Sequence, residues 1–180
     1  EVLDLHGVPI DGSAPAVRLN TSRPLADVQA DYRISPDSVG VAYRADPDAD
    51  EVHELFVTRV DGGMSPLERS GALVAGGDVS SFDFSADSGR LLYIADQGAD
   101  EVFELYSVGS LGGSAVRLSG SPVSGGDVVS FRTSAGGASA VYLADQDTNG
   151  VPELFAVLLA GGAAPAKLHA PLGAGQSVEL

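Results

Sequence analysis

The sequence predicts an all-β fold built from short four-stranded antiparallel units, and three observations predict it. The chain repeats itself about every 50 residues. Each repeat carries four strand-like segments separated by turn residues. No segment of ten or more residues shows the 3.6-residue apolar period of a helix. Four antiparallel strands per ~40–50 residues is the arithmetic of a β-propeller blade, whose two faces are buried only by neighbouring blades. A β-sandwich has no reason to repeat at this period, and a parallel β-helix repeats at a shorter rung.

The repeat is read most easily at its third segment. Glu51-Val52-His53-Glu54-Leu55-Phe56 returns as Glu101-Val102-Phe103-Glu104-Leu105-Tyr106 and as Gly150-Val151-Pro152-Glu153-Leu154-Phe155. An earlier copy, Glu1-Val2-Leu3-Asp4-Leu5-His6, opens the chain, so the steps are 50, 50 and 49 residues. The second segment keeps the same step in Tyr43-Arg44-Ala45-Asp46, Tyr93-Ile94-Ala95-Asp96 and Tyr142-Leu143-Ala144-Asp145.

Taken in order within the best-preserved repeat, Val79–Phe84 is the first strand, with apolar residues at 79, 82 and 84 in broken alternation. Arg90–Ala95 is a nearly continuous apolar run, as expected of a strand covered on both faces. Phe103–Val108 is mixed, and Ala115–Ser119 alternates. The breaks are Ala86-Asp87-Ser88-Gly89, then Asp96-Gln97-Gly98-Ala99-Asp100, then Gly112-Gly113, all turn formers. Phe82, Leu92, Tyr93, Leu105 and their period-mates are expected between sheets.

The segments resemble a known family. Ile34-Ser35-Pro36-Asp37-Ser38 followed by Val41-Ala42-Tyr43 is similar to the "SPDG…(I/V)AF" signature of WD40-like propeller repeats of the TolB and tricorn type. Ser85-Ala86-Asp87-Ser88 keeps it in part, and Ser134-Ala135-Gly136-Gly137 more loosely. The family's "GG…RLT" is echoed by Gly112-Gly113…Arg117-Leu118-Ser119 and Gly161-Gly162…Lys167-Leu168-His169. The resemblance spans nearly the whole chain and implies architecture rather than activity. Its blades divide the chain as 1–20 (the two outer strands), 21–70, 71–120, 121–169, and 170–180 as the start of another. That is about three and three-quarter blades, an incomplete ring. The start at Glu1, without Met or a signal stretch, reads as a mature or trimmed fragment of something longer.

Charge excludes some functions. Twenty-five acids stand against ten Lys and Arg, a net charge of -15, which repels nucleic-acid backbones and anionic membranes. No apolar run is long enough for a membrane helix. With no Cys, thiol catalysis and thiolate metal sites are out. His6, His53 and His169 fall in different blades with no serine or zinc constellation, so an enzyme is not expected.

The loop between the second and third strands carries the clearest chemical pattern. Asp145, Asp147, Asn149 and Glu153 place oxygens at loop positions 1, 3, 5 and 9, as do Asp46, Asp48, Asp50 and Glu54. Asp96, Asp100 and Glu104 form a weaker copy because Gly98 removes one ligand. Such spacing suits calcium, a hard cation that takes six to eight oxygens. It equally suits Asx-turns that hold the loop without metal. Asp27, Asp78 and Asp127 recur ahead of the first strand, either ringing a channel mouth or binding a neighbouring blade's backbone. The functional expectation is a scaffold that binds a protein or peptide and self-associates across its open edges, in a periplasmic or extracellular setting. The alternative is the substrate-gating propeller of a larger peptidase.

Overall fold

The computed structural model describes residues 3–21, 27–47, 52–173 and 175–178. Among them are fourteen strands and no helix. β1 (His6–Gly7) and β2 (Val17–Arg18) form a two-stranded sheet. Three four-stranded sheets follow: β3 (Arg33–Ile34), β4 (Gly40–Ala45), β5 (Glu54–Arg59) and β6 (Leu67–Glu68); β7 (Val79–Phe84), β8 (Arg90–Ala95), β9 (Glu104–Gly109) and β10 (Gly112–Arg117); β11 (Val128–Thr133), β12 (Ser139–Ala144), β13 (Glu153–Leu158) and β14 (Ala166–Lys167). Every pairing is antiparallel and joins neighbours in sequence. This is the blade architecture the repeat predicts.

Matched residues take matched roles. Tyr43 sits opposite Phe56, Tyr93 opposite Tyr106 and Tyr142 opposite Phe155, and each pair stacks with centroids 5.2–5.7 Å apart. Burial pushes Tyr93 and Tyr142 up to about 12. The same cause raises Tyr43 and Tyr106, with the Glu104 hydrogen bond adding to it at Tyr106.

The broken alternation of the first strands has a geometric cause. The register of β7 against β8 shifts between Val79 and Ser81, and that of β11 against β12 between Val128 and Ser130. A bulge adds one residue to the strand, so Val79 faces the same way as Phe82 and Phe84.

Alternate residues of a blade face opposite neighbours. Leu91, Tyr93 and Ala95 join Ala42, Leu55, Val57, Phe82 and Phe84 in one core between the first two full sheets. Leu92, Ile94 and Leu105 join Phe131, Ala140 and Tyr142 in the next. Tyr32, the period-mate of Phe82, departs from the expected burial and is half exposed. Over the described residues 171–173 and 175–178 no strand forms, and Val178 N donates to the Pro152 carbonyl at 2.9 Å.

Candidate functional site

The recurring aspartates build a relay between blades. The backbone N–H groups of Leu3, His53 and Phe103 donate to Oδ1 of Asp27, Asp78 and Asp127 at 2.7, 2.7 and 2.8 Å. The residue after each aspartate donates back: Val28 N to the Leu3 carbonyl, Val79 N to that of His53, Val128 N to that of Phe103. Val178 N repeats this on Pro152. Each relay aspartate also donates its own N–H to the next loop's first aspartate, Asp27 to Asp46 at 2.8 Å and Asp127 to Asp145 at 2.6 Å, with Asp78 and Asp96 paired likewise. The three aspartates are therefore blade-to-blade fasteners rather than a channel ring. Gly126 precedes one of them because a Cβ there would lie 2.7 Å from the Asp145 carbonyl oxygen. His53 adds its Nδ1 to Asp78 at 3.1 Å, which accounts for the only histidine–aspartate hydrogen bond among the described residues.

The acidic loops are held by the protein's own donors. Asp145 Oδ2 accepts from Gly150 N at 2.7 Å, as Asp96 Oδ2 accepts from Glu101 N at 3.0 Å. Glu104 accepts from the Tyr106 hydroxyl and from Arg117, both at 2.6 Å. Lys167 Nζ donates to Glu153 at 2.7 Å and to Asp147 at 2.9 Å, and lies over the Phe155 ring. Its pKa is raised, first by Glu153 and then by Asp147. Among the described residues no three His, Cys, Asp or Glu side chains group so as to hold a metal ion. The loop from Asp145 to Glu153, as arranged, does not fit calcium: one carboxylate faces backbone donors and two face an ammonium. Asp48 and Asp50 lie outside the described residues, and Asp46 and Glu54 are both engaged. Asn149 packs against Gly125, and Asp100 against Gly76.

Two residues with no motif signal matter here. Gln97 and Gln146 each accept from a tyrosine hydroxyl, Tyr93 at 2.9 Å and Tyr142 at 3.0 Å. Each also accepts from the glycine that leads into its blade, Gly71 or Gly120. Their shared place after the loop's first aspartate was the available clue.

Among the described residues, a large concave surface lies between the two-stranded sheet and β3–β4. It is a groove of about 710 Å³ lined by Val8, Val17, Tyr32, Ile34, Val41 and Val60, among others. Tyr32 is 50% and Ile34 56% exposed, whereas their period-mates Phe82 and Phe84 are 5% and 4% exposed.

With this stack described, likeness to solved structures becomes informative. A TolB-assigned protein of Agrobacterium tumefaciens superposes with a TM-score of 0.61 at 18% identity, over 93% of this chain and 55% of that one. The fold is a β-propeller, in part. A puromycin-hydrolyzing peptidase of Mycobacterium tuberculosis matches the same stack at TM-score 0.58 and 18% identity, over 89% of this chain and 26% of its own. The chain thus spans about half of the first structure and a quarter of the second. No protein-family model matches the sequence, and no curated protein does.

Proposed function

We propose that this chain is a non-enzymatic propeller module that binds a protein or peptide segment. The observation that carries the reading is the apolar groove beside Tyr32 and Ile34, at positions that the next blade buries as Phe82 and Phe84. An exposed contiguous apolar patch in an otherwise strongly acidic protein marks an interaction surface. The polar side chains of the loops are spent on fastening blades, which favours binding over chemistry. A periplasmic or extracellular setting accompanies this reading. Selection of displayed peptides against the folded chain, followed by amide chemical-shift mapping, tests it. Binders that shift resonances of a contiguous surface support it; failure to recover any saturable binder contradicts it.

The likeness to a stretch covering 26% of a peptidase favours a second reading, a substrate-gating propeller within a larger hydrolase. A hydrolase domain encoded in the same gene supports that reading, and its absence removes it.

A further inference from the structure

The turns that lead into β9 and β13 share one backbone and differ in one reactive bond. Val102 N closes the first on the Ala99 carbonyl at 3.1 Å, and Val151 N closes the second on the Thr148 carbonyl at 3.0 Å. The third residue of each is left-handed, Glu101 at φ 59° and Gly150 at φ 76°. The loop's first aspartate clasps the N–H of that residue: Asp96 Oδ2 holds Glu101 N at 3.0 Å, and Asp145 Oδ2 holds Gly150 N at 2.7 Å. Asp100-Glu101 joins a carboxylate to a residue with a side chain, whereas Asn149-Gly150 joins a primary amide to a residue with none. An amide carbon is a better electrophile than an ionised carboxylate, and glycine leaves its nitrogen open to approach. Beyond its chain neighbours, no atom lies within 4 Å of where a Gly150 Cβ would be. Asn149 and Gly150 are both exposed. The sequence has one other asparagine, Asn20, which is buried, bonds Leu5 N and Asp4 through its amide, and precedes β-branched Thr21. Asp11-Gly12 and Asp61-Gly62 share the glycine but offer carboxylates, that of Asp61 drawn down to about 2 by Arg59.

We propose that Asn149-Gly150 is a self-modification site, where the asparagine side chain closes on the next peptide nitrogen whenever the Asp145 clasp opens. The Gly150 nitrogen loses its proton and bonds to Asn149 Cγ. The Cγ–Nδ2 bond breaks, and the amide nitrogen takes up a proton and leaves as ammonia. Water then opens the imide ring at either carbonyl, which leaves aspartate or isoaspartate at 149, with no change of oxidation state. While the clasp is closed, the proton that must be lost is held in a hydrogen bond to a carboxylate, and the nitrogen is fixed in the turn. Asp145 is thus a positioning residue that restrains the reaction. The product adds an acid beside Asp145 and Asp147. As isoaspartate it also lengthens the backbone of a turn whose Asn149 Nδ2 lies against Gly125. Modification therefore loosens the lead-in to β11, which Val123 N fixes to the Gln146 carbonyl at 2.8 Å.

The test incubates the chain in neutral buffer below its melting temperature, beside the same chain in urea, and follows residue 149 by peptide mapping with an isoaspartate assay. Both samples should convert at 149, the native one roughly tenfold more slowly, the kinetic equivalent of one charge-assisted hydrogen bond. Asp100-Glu101 should stay unaltered over the same period. Asp145→Ser should bring the native rate toward that in urea. Asp127→Ala, which removes the neighbouring fastener and leaves the clasp, should not. Equal native and urea rates, or equal acceleration by the two variants, overturns the proposal. A slower reaction in Asp145→Ser would make Asp145 the base that starts it and also overturns the proposal. A native chain still unmodified long after the unfolded one has converted completely does the same, because the folded loop then never releases the bond. The native-to-urea comparison needs no variant and decides the question should Asp145→Ser fold poorly.

Discussion

At the scale of single residues, the fold depends on aspartates that read equally well as metal ligands. A carboxylate oxygen that accepts a backbone N–H across a blade boundary removes a donor that would otherwise be left unsatisfied, and such a bond to a charged group contributes about 1–3 kcal/mol. Asp127→Ala orphans Phe103 N, so it should lower stability by roughly that amount. Asp127→Asn keeps an acceptor and should cost less. Urea unfolding of both variants checks this; equal loss in the two would remove the hydrogen bond as the cause. The sequence alone could not divide these roles. Asp145, Asp147 and Glu153 carry calcium-loop spacing, but a spacing does not reveal that Lys167, 14 residues beyond Glu153, returns on β14 to neutralise two of them. Millimolar calcium should therefore leave the Asp145, Asp147 and Gly150 amide resonances in place. Movement of those resonances at micromolar calcium would show that the ammonium yields to the ion.

At the scale of elements, strands and turns were legible because their periods are local, and the exceptions have local causes. The interrupted pattern of Val79–Phe84 looked like a weak strand and is a bulged one. The turn before each second strand needs a left-handed residue: Ser38 and Ser88 take φ 62°, and Gly137 takes φ 69° at the matched place. A non-glycine residue there costs about 1 kcal/mol. Ser38→Gly should therefore raise stability by up to about that much, read as a higher urea midpoint. Gly137→Ser should do the reverse, and its Cβ would also press on Asp87, 2.9 Å away. The stacked tyrosines give the elements a pH signature. Tyr93 and Tyr142 ionise near 10.0 when unfolded and near 12 when folded. Their stabilisation is complete below about pH 10 and is lost as pH rises toward 12. Tyrosinate absorbance should show these rings ionising together with loss of the β spectrum; ionisation well before unfolding would contradict their burial.

At the scale of the whole molecule, the repeat made the stack readable and concealed the site. A sequence repeat says which positions are equivalent, and equivalence suggests equal burial. The first interface breaks that equality because β1 and β2 stand without the strand that covers Phe82 and Phe84 elsewhere. The matched positions show it: Tyr32 and Ile34 are half exposed where Phe82 and Phe84 are buried. Leu168 shows the same effect at the other end of the stack, half exposed where its mate Leu118 is buried. An open apolar groove beside Ile34 is thus the central claim. The absence of cysteine from the sequence permits a direct measurement of it: the rate at which a thiol reagent labels Ile34→Cys, compared with Val79→Cys at a fully buried position. The account predicts that Ile34→Cys labels at nearly the rate of the unfolded chain while Val79→Cys labels only through unfolding. Equal protection of the two thiols in the native protein would contradict it.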